Sequence, residues 1–225
     1  MLSIAKYRAP QGTVRGVDAV IFDLDGVLID SEQVWDEVRQ SFAAAHGGTW
    51  TPEATRAMQG MSTPEWAAYL VSDVGVQLKP DEVSAGVIAE MQKAYAAHLP
   101  VLPGAVEAVQ AVASRYPVAI ASSAPAVLIR VFLDVTGLPV PVAVSSESCA
   151  AGKPAPDVYL AAAEQLGVAA AACYAVEDST NGLKAALAAG MTVLAVPNPH
   201  FPPAEDVLAQ VRVLGSIAEL PDALA

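Results

Sequence analysis

The sequence carries little charge, and little of that is positive. Only 16% of its residues are Asp, Glu, Lys or Arg, with 12 Lys and Arg against 24 Asp and Glu. The formal net charge of −12 repels a phosphate backbone, which excludes a general nucleic-acid binder. Cysteine is scarce. Cys149 and Cys173 do not make a disulfide framework and read as small apolar side chains. Long apolar runs are also missing: the longest unbroken one, Val168–Val176, falls well short of the roughly 18 residues a spanning helix needs. Met1–Gly16 has no long apolar core and is cut by Pro10 and Gly12, so it does not read as a secretion signal. No G-x-G-x-x-G follows a strand-like run. Lys153 is followed by Pro154 rather than Ser or Thr, so there is no Walker loop. With 54% hydrophobic residues in 225, the chain is not disordered and can bury a sizeable core. A soluble, cytoplasmic protein with no membrane or nucleic-acid partner is the expectation.

What is present is alternation. Val17–Phe22 is a short run rich in β-formers, ended by Asp23-Leu24-Asp25-Gly26. It reads as a buried strand feeding a turn. Similar runs recur at Val118–Ala121, Val140–Val144, Tyr174–Val176 and Thr192–Val196, with a weaker one at Val211–Leu214. Helical spacing lies between them, over Ala105–Arg115, Pro125–Thr136, Asp157–Leu166 and Ser179–Ala189. Gly137, Gly167 and Gly190 stand where helix ends need a left-handed residue. Strands alternating with helices imply right-handed βαβ units and a parallel sheet covered on both faces.

One segment breaks the pattern. From about Glu32 to His98 there are helices and no convincing strand. Thr51-Pro52-Glu53 and Thr63-Pro64-Glu65 read as helix starts, with Thr as N-cap and Pro at the first helical position. The expected organisation is a core of residues 1–31 plus 99–225 with a helical cap domain at 32–98. The insert either packs on the core or forms a lid. Its position after the first strand's C-terminal turn favours a lid, because ligands of open α/β sheets bind at that edge.

Four candidate constellations end successive strands. Asp23 and Asp25 lie two apart, so an extended chain can point both the same way. One carboxylate suits attack on phosphorus and the other proton transfer, although Asp-Gly is also ordinary turn chemistry. Ser122 and Ser123 precede a helix, as N-caps or as hydroxyl and N–H donors to a phosphate. Lys153 sits in a loop, as solvated surface or as a phosphate cation. Glu177 and Asp178 precede another helix, as caps or as oxygen ligands for a hard divalent cation. A parallel sheet brings all four to one edge. A dianionic phosphate there is repelled by roughly 4 kcal/mol per unit-charge pair at 4 Å and an effective dielectric of about 20, so the site calls for a cation such as Mg²⁺ beside Lys153. His46, His98 and His200 fall outside these groups. Trp50 and Trp66 read as packing residues of the helical insert, and Trp35 stands open between packing and substrate contact.

Taken in order, these motifs resemble the haloacid dehalogenase superfamily, in its β-phosphoglucomutase-like group with a helical cap. Phe22–Glu32 matches the first motif, Ser122 the second, Gly152–Asp157 the third and Glu177–Met191 the fourth. The resemblance implies a Rossmann-like three-layer α/β fold with strand order 3-2-1-4-5. It implies that Asp23 is a nucleophile forming an aspartyl-phosphate and that Asp25 is general acid and then base. It further implies that Ser122 and Lys153 hold the phosphoryl group. Asp23, the Asp25 carbonyl and Asp178 would ligate Mg²⁺, with Glu177 close by or acting through water. Ser123, Ser31, Gln59 and Gly60 join the substrate-binding set. Where the family's mutases carry basic residues in the cap loop, this chain has Gln59 and Thr63. The mutase-like histidine of the first cap helix is replaced by Trp35. The expected activity is therefore hydrolysis of a small phosphorylated sugar or polyol by a monomer, with a β-phosphoglucomutase-type mutase as the alternative.

Overall fold

The computed structural model describes residues 17–58, 61–198 and 202–225. Met1–Gly16, Gln59, Gly60 and His200 lie outside the described residues. The chain divides into two compact units, Met1–Asp30 with Val101–Ala225, and Ser31–Pro100.

The first unit is a parallel sheet with helices between its strands. Its strands are β1 (Ala19–Phe22), β2 (Val118–Ser122), β3 (Val142–Ser145), β4 (Cys173–Glu177), β5 (Thr192–Ala195) and β6 (Arg212–Val213), in the order β3-β2-β1-β4-β5-β6. The weak run at Val211–Leu214 thus extends the expected five-strand order by a sixth strand at one edge. Every ladder is parallel. All residues of β1 and β2 are buried, which is why these strands read as continuous apolar runs instead of alternating ones.

On this unit's side of the chain, α5 (Ala105–Ala113) leads into β2, and Ala126–Thr136 links β2 to β3. Asp157–Leu166 links β3 to β4, and Thr180–Ala188 links β4 to β5. The short helices Glu205–Leu208 and Leu220–Ala223 complete it. Gly137, Gly167 and Gly190 all have positive φ at helix ends. The helix Asp157–Leu166 buries Val158, Tyr159, Ala162, Ala163 and Leu166. These pack in one apolar cluster with Ile21 of β1, Ala119 and Ala121 of β2, and Val144 of β3.

Among the described residues, the elements of the second unit are helices: α1 (Glu32–Ala45), α2 (Pro52–Ala57), α3 (Thr63–Ser72) and α4 (Pro80–Ala97). The helices after α5 are accordingly α6 (Ala126–Thr136), α7 (Asp157–Leu166), α8 (Thr180–Ala188), α9 (Glu205–Leu208) and α10 (Leu220–Ala223). Helix α4 buries Val83, Val87, Met91 and Tyr95, one side chain per turn. Thr51 caps α2 by accepting from the Ala54 N–H at 3.4 Å. At α3 the cap falls on Ser62 rather than Thr63. Glu65 decides this: its carboxylate accepts from the Ser62 N–H at 2.7 Å and from the Ser62 hydroxyl at 2.6 Å, which ties the chain one residue earlier. Trp66 is buried and lies 6.0 Å from Trp35 between ring centroids. The Arg39 guanidinium sits over both indoles, 4.8 and 5.0 Å from their centroids. His46 stacks on Phe42, so its ring belongs to the packing of α1. No helix among the described residues is long and apolar enough to cross a membrane.

Candidate active site

The site gathers at the C-terminal ends of β1, β2 and β4. The β1–β4 ladder runs one step past Phe22, where the Asp23 N–H donates to the Val176 carbonyl at 2.9 Å. This sets Asp23 at the sheet's edge with its carboxyl almost sealed, at 6% exposure. Asp23, Glu177 and Asp178 each offer an oxygen within 4.8 Å of the others, and all three are buried.

Lys153 reaches into this cluster from the loop before α7. Its ammonium donates to Asp23 Oδ1 at 2.8 Å and to Glu177 Oε1 at 2.6 Å. Burial alone would push the ammonium down, but the Asp23 and Glu177 charges outweigh it and hold Lys153 above the ordinary lysine value. Glu177 is fully engaged. Its Oε2 accepts from the N–H groups of Asp178 and Ser179 and from the Ser179 hydroxyl, at 2.9, 3.0 and 3.2 Å. Its Oε1 accepts from Lys153 and, at 3.0 Å, from the Tyr159 hydroxyl. Burial would raise this carboxyl, yet Lys153 and these hydrogen bonds leave it lowered and anionic. The Tyr159 hydroxyl is pushed well above the usual phenol range by burial and by the Glu177 and Asp23 charges, so it stays a donor.

Two glycines make the approach possible. A Cβ on Gly182, in the first turn of α8, would overlap the Glu177 carboxylate. A Cβ on Gly26 would run into the Asp178 carboxylate, and Gly26 also has a φ of +77°, which an L side chain rarely adopts.

Ser122 ends β2 fully buried. Its hydroxyl accepts from the Ala124 N–H at 3.0 Å and lies 3.5 Å from Asp25 Oδ2. The helix start beyond it is partly taken: the Ala126 N–H donates to Glu147 Oε2 at 3.1 Å. Ser123 is exposed, and Ser31 belongs to the helical unit, where its carbonyl accepts from the Trp35 N–H at 2.9 Å. Of the residues expected from the sequence, the fold brings together Asp23, Lys153, Glu177 and Asp178, with Asp25 beside Ser122. Tyr159 was missed. Its only sequence signal is its place six residues after Lys153, at the start of a helix whose apolar face it shares.

The charge balance bears on a metal. Burial, together with neighbouring carboxylates, raises Asp178 to about 9. Asp23 is raised to about 7 by burial against the pull of Lys153. One lysine thus leaves two buried carboxyls short of positive charge. Oxygen donors in a buried, electron-rich pocket suit a hard divalent cation. The residues fit such an ion, and Asp23, Glu177 and Asp178 could offer it carboxylate oxygens.

The model of the haloacid dehalogenase-like hydrolases matches residues 17–190. The chain belongs to that family. Among its relatives, hexitol phosphatase B of Escherichia coli K12 is 34% identical over 218 residues, covering 92% of this chain and 96% of that protein. The phosphorylated carbohydrates phosphatase of Thermotoga maritima is 31% identical over 179 residues, covering 78% and 82%. A haloacid dehalogenase family hydrolase from Deinococcus radiodurans, solved with phosphate and sodium bound, superposes with a TM-score of 0.69 at 32% identity. That match covers 93% of this chain and 96% of the other. Phosphatases of this family generally use a divalent metal, in keeping with the buried acidic cluster.

Proposed function

We propose that this hydrolase is a Mg²⁺-dependent phosphatase of small phosphorylated sugars or polyols. The Asp23–Lys153–Glu177 arrangement beside Asp178 carries the reading, and the two phosphatase relatives support it. Asp23 attacks phosphorus, and the bond from phosphorus to the sugar oxygen breaks. Asp25 gives its proton to that leaving oxygen. The Asp25 carboxylate then takes a proton from water, whose oxygen attacks the aspartyl-phosphate. Inorganic phosphate leaves and both aspartates return to their starting states. Ser122 and Lys153 bind the phosphoryl oxygens throughout. Asp23, Asp178 and the Asp25 carbonyl would hold Mg²⁺, which would supply the charge that lets a dianion enter an acidic pocket. Ser123, exposed just beyond Ser122, is a further candidate for the substrate's polar groups.

The test is phosphate release from a panel of sugar and polyol monophosphates, with Mg²⁺ or with EDTA. Turnover of at least one hexose or hexitol phosphate with Mg²⁺, and its loss with EDTA, is the expected outcome. Equal rates in both buffers would remove the metal from the reading.

A further inference from the structure

Lysine is a poor positioning element on its own, because its charge rides on four rotatable methylenes. In this site the ammonium is nonetheless confined. Lys153 is 6% exposed and meets three groups. Two are the carboxylates of Asp23 and Glu177. The third is Tyr159, whose hydroxyl lies 3.5 Å from Nζ and whose ring centroid lies 5.0 Å from it. The same hydroxyl donates to Glu177 Oε1 at 3.0 Å, so Lys153 and Tyr159 share one acceptor atom. Tyr159 itself is fully buried in the first turn of α7, packed within the apolar cluster formed with β1, β2 and β3.

We propose that Tyr159 is a positioning residue for Lys153. The ring face supports the ammonium, and the hydroxyl takes part of the Glu177 Oε1 charge. Without that donor, Oε1 would draw the ammonium more strongly to itself and away from Asp23 and the phosphoryl oxygens. Phenylalanine would fill the same space and keep the ring face, so the hydroxyl is the part to test. This inference rests on the proposed role of Lys153 as the phosphoryl grip.

The experiment measures binding of inorganic phosphate by calorimetry in Mg²⁺ buffer, beside steady-state kinetics. Tyr159→Phe is expected to weaken phosphate binding about three- to tenfold, the range of one lost hydrogen bond. KM should rise by a similar factor, with kcat changing less. In a Lys153→Met background, or Lys153→Gln should the Met variant not fold, Tyr159→Phe should cost nothing further. An equal loss in both backgrounds would overturn the proposal, because Tyr159 would then act independently of Lys153. Unchanged binding and KM in the single variant would also overturn it while leaving the site reading intact. Parent-like phosphate binding by the Lys153 variant would instead overturn the role of Lys153 and the Tyr159 inference with it.

Discussion

Lys153 Nζ donates to Asp23 Oδ1 at 2.8 Å across 130 residues of sequence, and both side chains are nearly sealed from water. The pair joins the two ends of the proposed chemistry, the attacking oxygen and the cation that meets the phosphate. It also makes Asp23 the most informative position for substitution. Asp23→Asn keeps the shape and removes the nucleophilic oxygen. Phosphate release should fall below detection, while the melting temperature shifts by less than about 4 °C, the equivalent of ~1 kcal/mol in a chain of this size. Lys153 keeps Glu177 as a partner in the variant, which is why the fold should tolerate the change. A near-normal rate in a phosphate-release assay would show that Asp23 is not the attacking group.

Gly182→Ala offers a test of the packing beneath the site. In an ordinary helix, replacing Gly by Ala stabilises by about 1 kcal/mol. Here the new Cβ would meet the Glu177 carboxylate, and that carboxylate is held by five donors. The sign should therefore reverse, with a net loss of roughly 1–3 kcal/mol, as for other overpacked sites. Denaturant unfolding measures it. A more stable variant would mean that Glu177 moves aside freely, against the view that it is fixed.

The fold was legible because its chemistry is local. Each buried strand announces itself as an apolar run, and Gly137, Gly167 and Gly190 mark helix ends by a conformation only local sterics demand. The four candidate groups were legible for a topological reason: residues that end parallel strands, or follow them in the next loop, converge at one edge. What escaped were the relationships that need three dimensions. Tyr159 looks like any apolar-face residue of α7 until its hydroxyl is found against Glu177. Glu147 gives no hint that it caps α6 from a separate turn. The cap of α3 falls on Ser62 because of the Glu65 side chain, a competition between neighbouring polar groups that Thr-Pro spacing does not reveal.

Metal binding should couple to pH in a definite direction. Asp23 and Asp178 are raised from the ordinary value of 3.8 to about 7 and about 9 without a metal. The folded protein then holds protons that the unfolded chain has already released. Stability of the metal-free protein is thus full below the unfolded values and declines as pH rises through the folded ones. A divalent cation takes the place of those protons. The difference in melting temperature between Mg²⁺ and EDTA buffers should widen from about pH 5 to about pH 9. A gap that is constant or narrows over that range would place the cation elsewhere.

Hydrolysis should prevail over isomerisation of a sugar phosphate. A mutase must hold a bisphosphate and turn it around, so the phosphate that is not being transferred needs its own cation. Arginine serves best, because its fork binds phosphate through two parallel hydrogen bonds. At the loop where the family's mutases carry basic residues, this chain has Gln59 and Thr63, which can hydrogen-bond a hydroxyl but cannot balance a dianion. The nearest cation in sequence, Arg56, is tied to Glu53 of its own helix at 3.0 Å, with both side chains about 70% exposed. Arg39 is held over two indole rings. The expected result with β-glucose 1-phosphate and a trace of the 1,6-bisphosphate is free phosphate in excess of glucose 6-phosphate. The reverse ratio would restore the mutase. Thr63→Arg then asks whether charge alone is what separates the two activities: bisphosphate should bind tighter, while hydrolysis of a monophosphate changes little.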